Sequence, residues 1–229
     1  MTTAGSGKGR AGASQTRRAR AQLVKDFLTF PIRAITLFED DRFGLSSLRT
    51  ERFDYVAREV RGRCLDVGCG RHNLFCDSVL GGNGEGIDVY PYEGLGPENV
   101  VLDMTRFPFP DASFDSVTFI ANLNHVPKSL RDAELAEAYR CLRRGGNIIV
   151  TMGSALAEVL VHRIVSQHDR LFGTHHDIDG ERGMGEEEEY FLTDAEILER
   201  LRRSGFTDLS KKHFLTQWCL NHLFVGWKR

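Results

Sequence analysis

The sequence predicts an α/β fold: a doubly wound, mostly parallel seven-stranded sheet with helices on both faces, three layers deep, closed by a C-terminal antiparallel hairpin. Three observations predict it. Short apolar runs alternate with helical patterns through most of the chain. The first run, 63–67, breaks at once into a turn that holds Gly68 and Gly70. Three acids, Asp66, Asp88 and Asp103, fall at the ends of three successive predicted strands.

The elements follow in order. Residues 21–38 place Leu23, Val24, Phe27, Leu28, Ile35 and Phe38 at helical spacing, interrupted by Pro31. That reads as two short helices packing on the domain, with a cover over the ligand site as the second choice and membrane contact as the third. A helix over 50–60 feeds the first strand. Further strands are expected at 86–89, 100–102 and 116–120. The next helix has Ser129 as N-cap with Asp132 three residues on, an apolar stripe of Leu135, Ala138, Tyr139 and Leu142, and Gly145 just past its end. A fifth strand covers 147–151. Thr193 and Glu196 form a capping box for a helix that stops at Gly205. Two strands, 207–214 and 219–227, are joined by a short connection, so they pair as a hairpin and one of them opposes the rest.

At 229 residues with 41% hydrophobic content, the chain suits one domain with a sizeable core. The division expected is a disordered basic tail over 1–20 and a single domain over 21–229. Within that domain, 21–50 is a helical cover and 153–190 a substrate-side insertion. A net charge of −2 gives no bulk attraction to nucleic acid or to an anionic membrane. Five cysteines, an odd number lying mostly in apolar runs, indicate reduced thiols and a cytoplasmic setting. No run reaches the ~18 apolar residues of a membrane-spanning helix, so no stable membrane association is expected. No metal is expected. Cys69 and Cys76 lack a ligand spacing, and His175, His176 and Asp177 match no strong pattern.

The stretch 64–70, Cys-Leu-Asp-Val-Gly-Cys-Gly, carries most of the chemistry. Glycines let backbone amides approach a ligand closely. A dinucleotide fingerprint would need a third glycine where Asn73 stands, and bare amides facing a pyrophosphate. Here a carboxylate already points at the turn. It repels phosphate and attracts an ammonium group, which implies a nucleoside with a cationic tail and no phosphates. Asp88 is placed to accept both hydrogen bonds of a ribose diol. Asp103 is placed to accept from an exocyclic amine, with the Met104 thioether against a purine face.

These residues resemble the class I S-adenosylmethionine-dependent methyltransferases, and most closely their small-molecule branch of ubiquinone/menaquinone-type enzymes. LDVGCG at 65–70 resembles the first motif of that family and GIDV at 86–89 its ribose-binding motif. DMTRFPFPDASFDSV at 103–117 resembles the adenine-binding acid and the run that follows it, and NLNHV and CLRRGGNIIV resemble the segments around the next two strands. The chain departs at His72, where the family has a glycine, and at Arg144, where it has a proline. The resemblance implies a Rossmann-like domain with S-adenosyl-L-methionine as cofactor. Asp66, Gly68 and Gly70 would line its methionine end, Asp88 and Val89 its ribose and adenine edge, and Asp103 and Met104 its adenine. Ala121 would offer a carbonyl to its ammonium.

Methyl transfer from a sulfonium is an in-line displacement, so the protein mainly aligns and desolvates the reactants. Where the acceptor must lose a proton, His125 is the candidate base, with a structural role as the alternative. The function expected is methyl transfer to a small-molecule acceptor, with no nucleic acid as partner. The alternatives are a non-catalytic module that binds the cofactor and a methyltransferase acting on a macromolecule.

Overall fold

The computed structural model describes residues 19–36, 40–154 and 192–229. Within them six strands form one sheet: β1 Cys64–Val67, β2 Gly84–Ile87, β3 Phe114–Ile120, β4 Leu142–Gly153, β5 Thr207–His213 and β6 Asn221–Trp227. Their spatial order is β2-β1-β3-β4-β6-β5. Strands β1 to β4 run parallel, and β6 opposes both β4 and β5. The chain winds outward from β1 to β2, then returns to β3 on the other side of β1. That reversal opens a crevice beyond the carboxyl ends of β1 and β3, where ligands bind in sheets of this kind.

Among the described residues four α-helices accompany the sheet: α1 Arg20–Thr36, α2 Leu48–Ala57, α3 Arg131–Cys141 and α4 Asp194–Arg203. Strand side chains alternate between two apolar clusters. Leu65, Val67, Val117, Phe119, Ile148 and Val150 face one, with Leu135 of α3 and Ile197 and Leu201 of α4. Cys64, Ile149, Leu223 and Val225 face the other, with Val56 of α2. This two-sided burial is why the strands read as near-continuous apolar runs. Caps fix where two helices start. The Ser47 hydroxyl accepts from the Thr50 amide at 3.0 Å, and Thr193 Oγ1 from the Glu196 amide at 3.2 Å.

Five features differ from the sequence expectation. The strand expected at 100–102 reduces to one bridge between Asp88 and Val100. A short helical turn, Pro97–Asn99, leads into it and Leu102 is 88% exposed, so only a residue or two can pair with β2. Strand β2 ends at Ile87, which leaves Asp88 just beyond it. Strand β4 is longer than expected and takes in Gly145, which turns left-handed at φ 78° and donates its amide to the Lys228 carbonyl. Ser129 is not the cap of α3. Leu130 precedes the first helical residue, and the buried Arg131 sets the start by donating to the carbonyls of Val126 and Asn124 at 2.9 and 3.2 Å. Finally, α1 runs unbroken through Pro31 and turns its apolar stripe outward. Residues 1–18 and 155–191, which hold most of the expected tail and insertion, lie outside the described residues.

Candidate functional site

The site begins where β1 stops. Asp66 is buried within β1, and its Oδ1 accepts from the Thr118 hydroxyl on β3 at 2.6 Å. Burial pushes its carboxyl up from the ordinary 3.8 to about 7; the Thr118 hydrogen bond opposes the rise and Asp88 adds to it.

Gly68 and Gly70 then turn the chain, for different reasons. Gly68 has φ 75°, and a Cβ there would lie 2.2 Å from the side chain of Asn122. Asn122 donates to the Val67 carbonyl at 3.1 Å, so it clamps the end of β1. Gly70 has φ 64° and ψ −163°, a conformation only glycine adopts readily, while a Cβ there would meet nothing within 4 Å. The first glycine makes room for a protein side chain, and the second leaves open space.

Asp88 ties this turn to β2. One carboxylate oxygen accepts from the Gly70 amide and the other from the Tyr90 amide, both at 3.0 Å. The amides of Gly68 and Cys69 donate to the Ile87 carbonyl at 2.8 and 3.1 Å. No bare row of amides therefore faces the crevice, as a pyrophosphate would need. The charges here are carboxyl groups, and they fit a ligand with a cationic end and no phosphate.

The remaining expected residues differ in exposure and in partners. Val89 is exposed, beside the rings of Tyr90 and Tyr92, whose centroids lie 4.8 Å apart. Met104 is buried in the cluster that holds Val67 and Ile87. Asp103 is exposed, and its carboxylate accepts from the Thr105 hydroxyl at 2.5 Å and the Thr105 amide at 3.0 Å. Those bonds hold its carboxyl below the usual range. Ala121 takes a left-handed φ of 51° just past β3, and its amide donates to Thr151 Oγ1 at 3.0 Å. His125 is half-buried; its amide donates to the Asn122 carbonyl at 2.8 Å, and its Nε2 lies 3.3 Å from Asn124 Nδ2. His125 thus belongs to the loop that clamps Gly68.

Two residues join the site without having been singled out from the sequence, Thr118 and Asn122, and a third, Glu134, is coupled electrostatically to Asp88. A hydroxyl inside the apolar run 116–120 was a signal for Thr118. Asn122 stands in the motif segment 122–126, though nothing in the spacing tied it to Gly68. Glu134 gave no signal, since it looked like an ordinary acid of a helix first turn. It is buried, its Oε2 has no hydrogen-bond partner among the described residues, and burial, with Asp88, raises its carboxyl to about 8. No group of three or more possible metal ligands occurs among the described residues; His175, His176 and Asp177 lie outside them.

A parallel sheet with a carboxylate-lined glycine turn at its switch point defines a nucleoside-cofactor domain of the α/β class. Residues 65–150 match the family described as "Methyltransferase domain". Over that stretch the chain is similar to S-adenosylmethionine-dependent methyltransferases. A curated relative, the ubiquinone/menaquinone biosynthesis C-methyltransferase UbiE of Rhizobium leguminosarum bv. trifolii, is 44% identical over 65 residues, 28% of this chain and 24% of that protein. The protein of the same name from Rhizobium etli is 38% identical over 65 residues. The chain spans about a quarter of the length of the curated relatives it matches, 24% in both cases. Among solved structures, a SAM-dependent methyltransferase from Archaeoglobus fulgidus superposes with TM-score 0.57 at 15% identity, covering 79% of this chain and 93% of that one. The 1,6-didemethyltoxoflavin-N1-methyltransferase of Burkholderia thailandensis gives 0.51 at 13%, covering 90% and 80%. The [4+2]-cyclase SpnF gives 0.52 at 17%, covering 95% and 97%. At these identities the structures share the fold alone.

Proposed function

We propose that this protein transfers a methyl group from S-adenosyl-L-methionine to a small-molecule acceptor by in-line displacement. The observation that carries the reading is the Asp88 carboxylate, fixed by the Gly70 and Tyr90 amides beside the open side of Gly70. Each of its oxygens keeps a lone pair for a ribose hydroxyl. Bound there, the cofactor supplies an activated methyl group on a sulfonium.

The chain's own residues bind and orient. Asp66, held by Thr118, offers negative charge to the ammonium end. Gly68 and Gly70 give that end its space, and Ala121 offers a carbonyl at the mouth of β3. Val89 and Met104 flank the adenine, and Asp103 is the acid assigned to its amine. His125, on the loop that clamps Gly68, takes a proton from the acceptor where the acceptor must lose one.

A small-molecule acceptor is supported by the names of the partial relatives, C-methyltransferases of ubiquinone and menaquinone biosynthesis. The cyclase neighbour has the same fold, so the fold by itself does not fix the chemistry. Calorimetry of the full chain tests the cofactor assignment. S-adenosylhomocysteine is expected to bind more tightly than NAD or ATP, and the reverse order overturns the reading. Methyl transfer to a protein or RNA extract, with none to a small-molecule fraction, would replace the acceptor class instead.

A further inference from the structure

Helix α1 is built inside out. Its residues Asp26, Phe30 and Arg33, at helical spacing, turn toward the domain and are buried. Its opposite face carries Val24, Phe27, Leu28, Ile32 and Ile35, each between 47% and 68% exposed. Spacings of four, four and three from Val24 through Leu28 and Ile32 to Ile35 keep these residues on one stripe. A helix that only covers a domain does the reverse, since apolar groups leave water for the core.

The inward polar face is held by a hydrogen-bond network that leaves only Arg33 Nε and Glu51 Oε1 without partners among its described atoms, and this network sets the orientation. The Arg33 guanidinium donates to Glu51 Oε2 at 3.0 Å and to the carbonyls of Ser46, Asp26 and Thr216 at 3.1, 2.5 and 3.3 Å. Gln217 donates to the same Glu51 oxygen at 2.8 Å. Asp26 accepts from Gln22 at 2.8 Å and from Ser46 at 3.3 Å. Rolling the helix to bury its apolar stripe would expose this network and strip a buried charge of its partners, a large cost. Trp218, 48% exposed and packed on Phe27 and Phe30, extends the patch sideways.

Charge decides the occupant. Arg20 and Lys25 are exposed on α1, and the sequence leading into the helix adds Lys8, Arg10, Arg17 and Arg18 with no acid. Among the described residues the nearby acids are engaged elsewhere: Asp26 is buried, Asp40 pairs with Arg49 at 2.8 Å, and Asp41 accepts from the Ser47 amide at 2.8 Å. An apolar stripe with an aromatic edge and a basic end fits the boundary of an anionic lipid bilayer, with the stripe among the acyl chains and the bases at the headgroups.

We propose that the outer face of α1, with Trp218, seats the protein on anionic membranes as a peripheral contact. The contact is independent of the methyl-transfer reading, because none of these residues belongs to the cofactor site. Co-sedimentation of the full chain with vesicles tests it, using phosphatidylcholine alone and phosphatidylcholine mixed with phosphatidylglycerol. The wild type is expected to pellet with the mixed vesicles and to be released by salt. Leu28→Glu combined with Ile35→Glu should lower the bound fraction by about tenfold or more, with melting temperature and S-adenosylhomocysteine affinity unchanged. A wild type that stays in the supernatant, or a variant that pellets equally well, overturns the proposal. So does equal binding to neutral vesicles. A wild-type dimer that the two substitutions dissolve, without vesicle binding, would make this face an interface between copies of the chain.

Discussion

The indole N–H of Trp218 donates to the main-chain carbonyl of Phe27 at 2.9 Å. Phe27 lies four residues before Pro31, so its carbonyl is the one that a proline in a helix leaves without an amide. Trp218 comes from the turn between β5 and β6, 191 residues away. It supplies the missing donor and packs on Phe30, with ring centroids 5.5 Å apart. The bond satisfies the carbonyl left open by Pro31 in a helix that continues through it.

A double-mutant cycle measures that bond. Trp218→Phe keeps an aromatic ring but loses the donor, and should cost about 1 kcal/mol in urea unfolding. Pro31→Ala restores an amide to the Phe27 carbonyl, so Trp218→Phe should cost clearly less in that background. Equal costs in the two backgrounds would show that the indole bond does not replace the proline's missing amide.

The two glycines of the turn should respond differently to alanine. Each substitution costs roughly 1–3 kcal/mol of backbone strain. Gly68→Ala also collides with Asn122, so Asn122→Ala should recover part of its loss. The same second substitution should do nothing for Gly70→Ala, whose Cβ faces open space. Melting temperatures of the five variants decide this.

Asp66 and Glu134 set a pH dependence. Both carboxyls are raised by burial, from 3.8 to about 7 and from 4.5 to about 8. The folded state therefore holds protons that the unfolded chain has released, and stability falls as pH rises through this window. The urea midpoint should drop between about pH 5 and pH 8, and Asp66→Asn with Glu134→Gln should flatten the profile. A midpoint that climbs over that range contradicts the raised values.

Asp88→Ala should lose about 2–3 kcal/mol of S-adenosylhomocysteine affinity, the size of a charge-assisted pair of hydrogen bonds. Calorimetry at a temperature where the variant remains folded reads this directly. Unchanged affinity removes Asp88 from the ribose.

His125→Ala should lower the chemical rate by about 10²–10⁴ if the imidazole is the base, with cofactor binding unchanged. His125→Asn separates chemistry from loop support. An amide can keep a hydrogen bond to Asn124 but cannot take the proton. Near-normal turnover of that variant would make His125 a structural residue and leave alignment as the protein's whole contribution.

Local chemistry fixed much of this molecule in advance. Periodicity marked β1, β3, the hairpin and three of the helices, because each buries a face whose spacing is written in the chain. The stretch 64–70 marked the turn, since two glycines after an apolar run have few other uses. Asp66 and Asp88 were legible as acids placed beside that turn. What depended on distant partners was not. Pro31 read as a break because Trp218 is remote in sequence. Ser129 read as a cap because the anchoring of Arg131 to Val126 and Asn124 is invisible to spacing. The stripe of α1 read as core, since spacing shows that apolar residues share a face but not which way the face points. That direction was decided by Arg33, Glu51 and Asp26, whose buried network costs more to break than the exposed stripe costs to leave in water.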